Sequence, residues 1–313
     1  MRGTLLYIGQ RLVLIAVTTV LVSSIVFVLL HQIPGNAFLN ETRTSPEALA
    51  ADLRHYGLDK PLQTQYFNWV GAVLHGNLGE SLVNRGVMIT PLLIRETSVS
   101  ATVGFFALII TVGLGMILGV IAALRQNTWV DYTASSAAVI GYSIPAFVIA
   151  IFMLLIFGHY FYDWTQGTVY YNVGWGDWTQ IPVPAIALGL PYASYVARLT
   201  RASMLETIRT DYVRTAWAKG LKARVVVLRH ALRNALIPVV TILGPLTTGI
   251  ITGSVVIENI FGIPGLGKEF VTSILARDYN IVIGVFTFYA ALVGLANLTV
   301  DVIYPALDPR IRY

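Results

Sequence analysis

Gly262, Gly267 and Lys268, in the stretch GIPGLGKE at 262–269, stand at the G-x-x-x-x-G-K spacing of a loop that cradles nucleotide phosphates. The next residue is Glu269, where that chemistry needs a serine or threonine hydroxyl on Mg²⁺; a carboxylate there would sit among phosphates. The stretch is therefore expected to be a turn between two helical pieces, with Gly262, Pro264, Gly265 and Gly267 supplying its special backbone angles. His31, His55, His75, His159 and His230 lack the paired spacing of metal ligands, and zero cysteines exclude a thiolate site. No nucleophile, base and orienting group can be assembled. The chain is expected to bind no cofactor or metal of its own and to be no enzyme.

The densest chemistry is electrostatic. Residues 211–240 read DYVRTAWAKGLKARVVVLRHALRNALIPVV, and with Arg209 just upstream the region holds seven of the 21 Lys and Arg: Arg209, Arg214, Lys219, Lys222, Arg224, Arg229 and Arg233. Small residues Thr215, Ala216 and Ala218, a break at Gly220, a helical run to Asn234 and then Pro238 describe a short helix, a turn and a second helix. The charge alone follows from the preference of Lys and Arg for the inner side of a membrane. The pattern asks for more: a short helix with a small-residue face beside a basic neighbour suits a groove on another protein.

These residues must be positioned by membrane helices. A hydrophobic content of 56%, only 12% charged residues and a mean hydropathy of +0.69 lie outside the range of a soluble globular domain. Six apolar runs near 20 residues long occur at about 12–30, 98–124, 133–157, 183–204, 236–257 and 281–304. The first run is long and lacks a cleavage pattern before HQIPGN, so it is expected to be retained. Arg198 and Arg201 fall within the inner end of the fourth run, where long side chains can snorkel. With the N-terminus inside, 14 of the 21 Lys and Arg face the cytoplasm, and five of the remaining seven lie in the long segment 31–97, where charge has little influence on topology. Both termini are therefore expected inside, and the loops 31–97, 158–182 and 258–280 outside. The fold class expected is an all-α polytopic membrane protein.

In the first outer loop, Ser45 before Pro46 marks a helix start and Gly57 its stop, with a second helix from about Pro61 whose Tyr66, Phe67 and Trp69 suit the lipid interface or the rim of the bundle. The aromatic loop FYDWTQGTVYYNVGWGDWTQIP can serve as an interfacial belt or meet a delivered ligand. Gly115 with Gly119 and Gly249 with Gly253 have the spacing of close helix packing. The fifth run is unusually hydroxylic at Thr241, Thr247, Thr248, Thr252 and Ser254, for packing bonds or for lining a wet pathway. Thr241, Gly244, Thr248, Thr252 and Glu258 are its candidate pathway residues; Glu258 could bond a loop backbone or meet a substrate amine.

The basic stretch resembles the EAA-type cytoplasmic loop of binding-protein-dependent ABC importer permeases, in the form of the peptide/nickel subgroup, through YVRTA, AKGL and RHALRNALIPV. Arg214 and Thr215 stand where the general pattern has Glu-Ala, and Pro238 lies further from Gly220 than in sugar-type permeases; both departures narrow the subgroup. GLDKPLQTQYFNWV at 57–70, HGNLGESL at 75–82, GYSIPAF at 141–147, ENIFGIPGLG at 258–267 and ALDPRIR at 306–312 resemble the family's elements in order. The resemblance implies one six-helix subunit. Residues 1–97 would form the first transmembrane helix and large outer loop, and 98–313 the five-helix permease core, with a coupling loop at about 205–235. It implies that Tyr212, Arg214, Ala216, Lys219, Gly220 and Leu221 couple to an ATPase. It also implies a second permease, two ABC ATPase subunits carrying ATP and Mg²⁺, and an extracytoplasmic binding protein, with membrane lipid around the chain and no nucleic acid. The setting would be a bacterial or archaeal cytoplasmic membrane. Peptides are the cargo implied, with nickel, glutathione or oligosaccharides as alternatives. A stand-alone channel would not need the basic helix-turn-helix, and a membrane enzyme would need clustered ionisable residues inside the spans.

Overall fold

The structure is a computed structural model, and it describes residues 2–33, 46–167 and 171–307. Ser45, the PGN of HQIPGN, the TVY at 168–170 and the DPRIR at 308–312 lie outside them. The described residues are almost wholly helical: α1 (Arg2–Gln32), α2 (Pro46–His55), α3 (Leu62–Leu74), α4 (Ile89–Leu124), α5 (Trp129–Ser143), α6 (Ala146–Leu155), α7 (Phe161–Trp164), α8 (Pro182–Ile208), α9 (Asp211–Ala218), α10 (Ala223–Val225), α11 (Leu232–Ala235), α12 (Ile237–Thr241), α13 (Leu243–Phe261), α14 (Leu266–Ala276) and α15 (Tyr279–Leu307). π-helical turns at Ile156–Tyr160 and Val226–Ala231 join α6 to α7 and α10 to α11.

Among the described residues, four stretches are long and apolar enough to cross a membrane, namely Leu6–Gln32, Ile89–Leu124, Ala146–Trp164 and Tyr279–Val302. A fifth is the pair Ala223–Thr241 and Leu243–Phe261, bent by 49°. The expected continuous runs at 133–157 and 236–257 are thus each broken, and proline explains both. Ile144 precedes Pro145 and is driven to an extended backbone, φ −85° and ψ 125°, which ends α5. Pro245 has no N–H to give the Thr241 carbonyl four residues back and its ring crowds that carbonyl, which kinks the chain between α12 and α13. The run at 183–204 does form a helix, the 27-residue α8, yet it is less apolar than the other five stretches.

The chain divides into two compact units, one of residues 1–99 with 264–295 and one of 100–263 with 296–313. The first is cored by Leu78, Ile89, Leu93, Leu266, Ile281 and Val285. Asp278, almost fully buried, caps α15 through the Ile281 N–H and also accepts from the Ser81 hydroxyl at 2.5 Å and the Leu82 and Val83 N–H groups at 3.2 Å. Four bonds on one carboxylate pin the loop before α4 to the start of α15. α3 lies on α1, with the Tyr66 ring edge-on to Phe27, the Tyr66 hydroxyl 2.6 Å from Ser24, and Trp69 beside Phe27, while Phe67 is exposed.

The second unit is built around α8, half of whose residues are buried. α4 reaches it through glycines: a Cβ on Gly115 would stand 2.7 Å from the Ala193 carbonyl, and one on Gly119 2.5 Å from that of Ala197. The backbones touch because no side chain separates them. Gly249 and Gly253 of α13 instead make room for side chains of α8: a Cβ on Gly249 would stand 2.8 Å from the Tyr192 hydroxyl, and one on Gly253 3.3 Å from Leu188 Cδ1.

Candidate functional site

α9 is eight residues long and amphipathic, and Val213 and Ala216, three apart, turn inward onto Val226. Ala216 is 5% exposed, so it supports the helix from behind, and the expected small-residue face is divided: Thr215 and Ala218 point out, Ala216 points in. The outer side presents Tyr212, Arg214, Trp217 and Lys219. No sequence pattern singles out Trp217; its exposure of 45% marks it as part of the surface offered.

The local chemistry fixes both ends. Asp211 in the first turn complements the helix dipole and lies 3.7 Å from Arg214. At the other end, the Gly220 N–H donates to the Trp217 carbonyl at 2.9 Å and the Leu221 N–H to that of Ala216 at 3.4 Å, the paired closure that requires a left-handed residue between them. Gly220 takes φ +73° there, and a Cβ would meet nothing within 4 Å. Its glycine is therefore required by the backbone rather than by packing. The Tyr212 hydroxyl accepts from Asn234 Nδ2 at 2.7 Å, tying α9 to the helix that follows. All seven basic residues from Arg209 to Arg233 are exposed. Behind them Ala231 and Ala235 pack with Met204 and Ala123, so the helical segment against which α9 packs is seated on the ends of α4 and α8.

The five candidate pathway residues do not share one face. Thr252, Pro245, Val256 and Asn259 are exposed and Thr248 half-buried along one stripe of α13, and Thr241 is exposed just before the kink. Gly244 and Glu258 belong to the buried side, where Gly244 approaches Asn297 and Val300. Thr241, Thr247, Thr252 and Ser254 each donate to a carbonyl three or four residues back, and Thr248 lies 3.4 Å from Asn297 Oδ1. A threonine bonded in this way keeps acceptor lone pairs for a second partner.

Around α8 the sequence gives no hint of an ion pair that spans 70 residues. Arg201 grips Asp131 of α5 through Nε at 2.6 Å and a terminal nitrogen at 2.7 Å, and Asp131 accepts further from the Asn127 N–H and the Ser135 hydroxyl.

The stretch GIPGLGKE is a helix end and a helix start. Gly262 closes α13 at φ +67°, Pro264 is exposed, Gly265 is the extended residue before α14, and Gly267, expected in the turn, is already the buried second residue of α14. No strand leads into it, as a phosphate-binding loop would have, among the described residues. In the aromatic loop, Tyr160, Trp164 and Trp178 are exposed, while Tyr171 is buried edge-on to Phe261 and donates to the Gln180 carbonyl at 3.0 Å.

Two family models match the chain. That of the binding-protein-dependent transport system inner membrane component covers residues 115–313, and that of the N-terminal part of such membrane components covers 4–93. The dipeptide transport system permease protein DppB of Bacillus subtilis (strain 168) is 40% identical over 307 residues, 98% of this chain and 97% of the relative. The oligopeptide transport system permease protein OppB of Escherichia coli (strain K12) is 40% identical over 298 residues, 95% of each. Among solved structures, an inward-facing MetNI methionine ABC transporter matches with a TM-score of 0.55 at 20% identity, over 70% of this chain and 97% of the other. An amino acid ABC transporter matches with a TM-score of 0.51 at 18% identity, over 71% and 95%. At these identities the structural likeness speaks to the fold alone.

Proposed function

This chain belongs to the family of binding-protein-dependent transport system inner membrane components, and we propose that it forms one half of the translocation pathway of an ABC importer for di- or oligopeptides. Full-length likeness to dipeptide and oligopeptide permeases supports that cargo. A second, homologous permease supplies the other half. An extracytoplasmic binding protein delivers the peptide, and two ATPase subunits bind and hydrolyse ATP with Mg²⁺. The chain crosses a bacterial or archaeal cytoplasmic membrane six times, through α1, α4, α5 with α6, α8, α12 with α13, and α15, with both termini inside. The Lys and Arg distribution supports that orientation.

The observation that carries this reading is the outer edge of α9. Tyr212, Arg214, Trp217 and Lys219 stand exposed on a helix whose back is locked by Val213 and Ala216 and whose end is closed at Gly220. A rigid short helix with an unused amphipathic edge is suited to enter a cleft on an ATPase and transmit its closure to α4 and α8. The test is Gly220→Val in the complete transporter. A β-branched residue at φ +73° costs about 1–2 kcal/mol and loosens the closing turn. Uptake should fall and fewer ATPase subunits should co-purify, while the chain still inserts. Unchanged uptake and co-purification would count against α9 as the coupling element.

A further inference from the structure

Two arginines three residues apart on α8 stand in opposite circumstances. Arg201 has its carboxylate, Asp131, in a two-pronged bond. Arg198 is exposed, and among the described residues no carboxylate pairs with it; its guanidinium carbon lies 4.8 Å from the centroid of the Tyr142 ring. Tyr142 is itself 5.8 Å from Tyr195, and the two rings are inclined by 30°. Tyr192, Tyr195 and Arg198 recur every third residue, one stripe of α8. Tyr192 and Tyr195 pack against the buried cluster of Val196, Val239 and Leu246, so this stripe adjoins the kinked pair α12–α13.

A cation costs about 2.5–3.5 kcal/mol at the centre of an apolar run and less toward its end, where Arg198 lies within reach of polar surroundings. A guanidinium attracted to a ring face still has five N–H donors in a planar fork, and a carboxylate matches that fork in two parallel bonds. The Tyr142 ring thus fixes the cation and leaves its donors unspent. Peptides differ in every side chain, but each linear peptide ends in one carboxylate. A carrier tolerant of sequence can recognise that group in all of them.

We propose that Arg198, flanked by Tyr142 and Tyr195, is the carboxylate contact of the translocation pathway, receiving the C-terminal carboxylate of the peptide in passage. The proposal rests on the reading of the cargo as peptide.

The test uses the complete transporter with its binding protein in proteoliposomes, as wild type, Arg198→Gln and Arg198→Lys. Two peptides of one sequence are compared, one with a free C-terminal carboxylate and one amidated, each at concentrations that saturate the binding protein. Uptake per assembled complex is expressed as variant over wild type for each peptide, so that the binding protein's own preference cancels. Loss of a charge-assisted bond predicts that Arg198→Gln lowers uptake of the free acid about tenfold to a hundredfold and that of the amide less than about threefold, with partial recovery in Arg198→Lys. Equal loss for both peptides would make Arg198 a packing residue. No loss for either would make it an arginine that reaches lipid headgroups. Both results overturn the proposal alone. A wild-type complex that takes up neither peptide would overturn the cargo reading and the proposal with it.

Discussion

Arg201 and Asp131 face each other across α8 and α5 in a bidentate ion pair whose carboxylate is almost fully buried. Breaking such a pair costs more than never having had it, because one charge is left without its partner. Asp131→Asn should therefore destabilise the chain by about 3 kcal/mol, seen as a lower apparent melting temperature in detergent, and Asp131→Leu with Arg201→Met should recover part of the loss. A double variant as unstable as the single one would mean that the pair is not the source.

The glycine contacts of α4 make a graded prediction. Gly119→Ala puts a methyl group 2.5 Å from the Ala197 backbone carbonyl, which cannot move aside cheaply, whereas Gly113→Ala on the same helix meets nothing within 4 Å. The first should cost about 1–3 kcal/mol and the second should be neutral or slightly favourable. Yields of folded protein and melting curves for the two variants compare them directly.

If the exposed stripe of α13 lines the pathway, cysteines placed singly at Thr241 and Thr252 should react with water-soluble thiol reagents in this cysteine-free chain. A cysteine at Gly244, buried near Asn297, should react at least about tenfold more slowly in the same nucleotide state. Equal protection at all three positions would assign the hydroxyls to packing alone.

Glu269 supplies a pH dependence. Burial, and then the nearby Asp278, push its carboxyl above its ordinary value of 4.5. A raised acid favours the fold in its neutral form, so its contribution is full below about pH 4.5 and is lost as pH climbs through the raised value. Glu269→Gln should remove that decline. Apparent melting temperatures measured from acidic to neutral pH should show a flatter curve for the variant, and identical slopes would contradict the assignment.

Much of this arrangement was legible in residue patterns, and the exceptions have physical causes. Gly57, Pro61 and Gly220 marked helix ends because their backbone preferences are local. Pro145 and Pro245 lie within apolar runs whose length alone suggests unbroken spans, so the breaks had to be read from backbone angles and the bend. Ala216 reads as part of a small docking face, but its partner Val226 lies across the Gly220 turn; the Val213–Ala216 spacing was the available sign. The Arg201–Asp131 pair and the three bonds from Ser81, Leu82 and Val83 to Asp278 join residues far apart in the chain, which no periodicity records. Arg198 was visible as a charge in an apolar run, and only the ring beside it sets it apart from an arginine that snorkels.

The coupling role of α9 turns on whether its outer edge meets an ATPase subunit. A single cysteine at Thr215, exposed on that edge, and one at Trp178, exposed in the aromatic loop expected outside, can each be treated with a thiol-to-amine cross-linker in the assembled, transporting complex. Coupling through α9 should give an adduct with the ATPase subunit from position 215 and none from position 178. An adduct from position 178, or none from 215 in a complex that still transports, would contradict it.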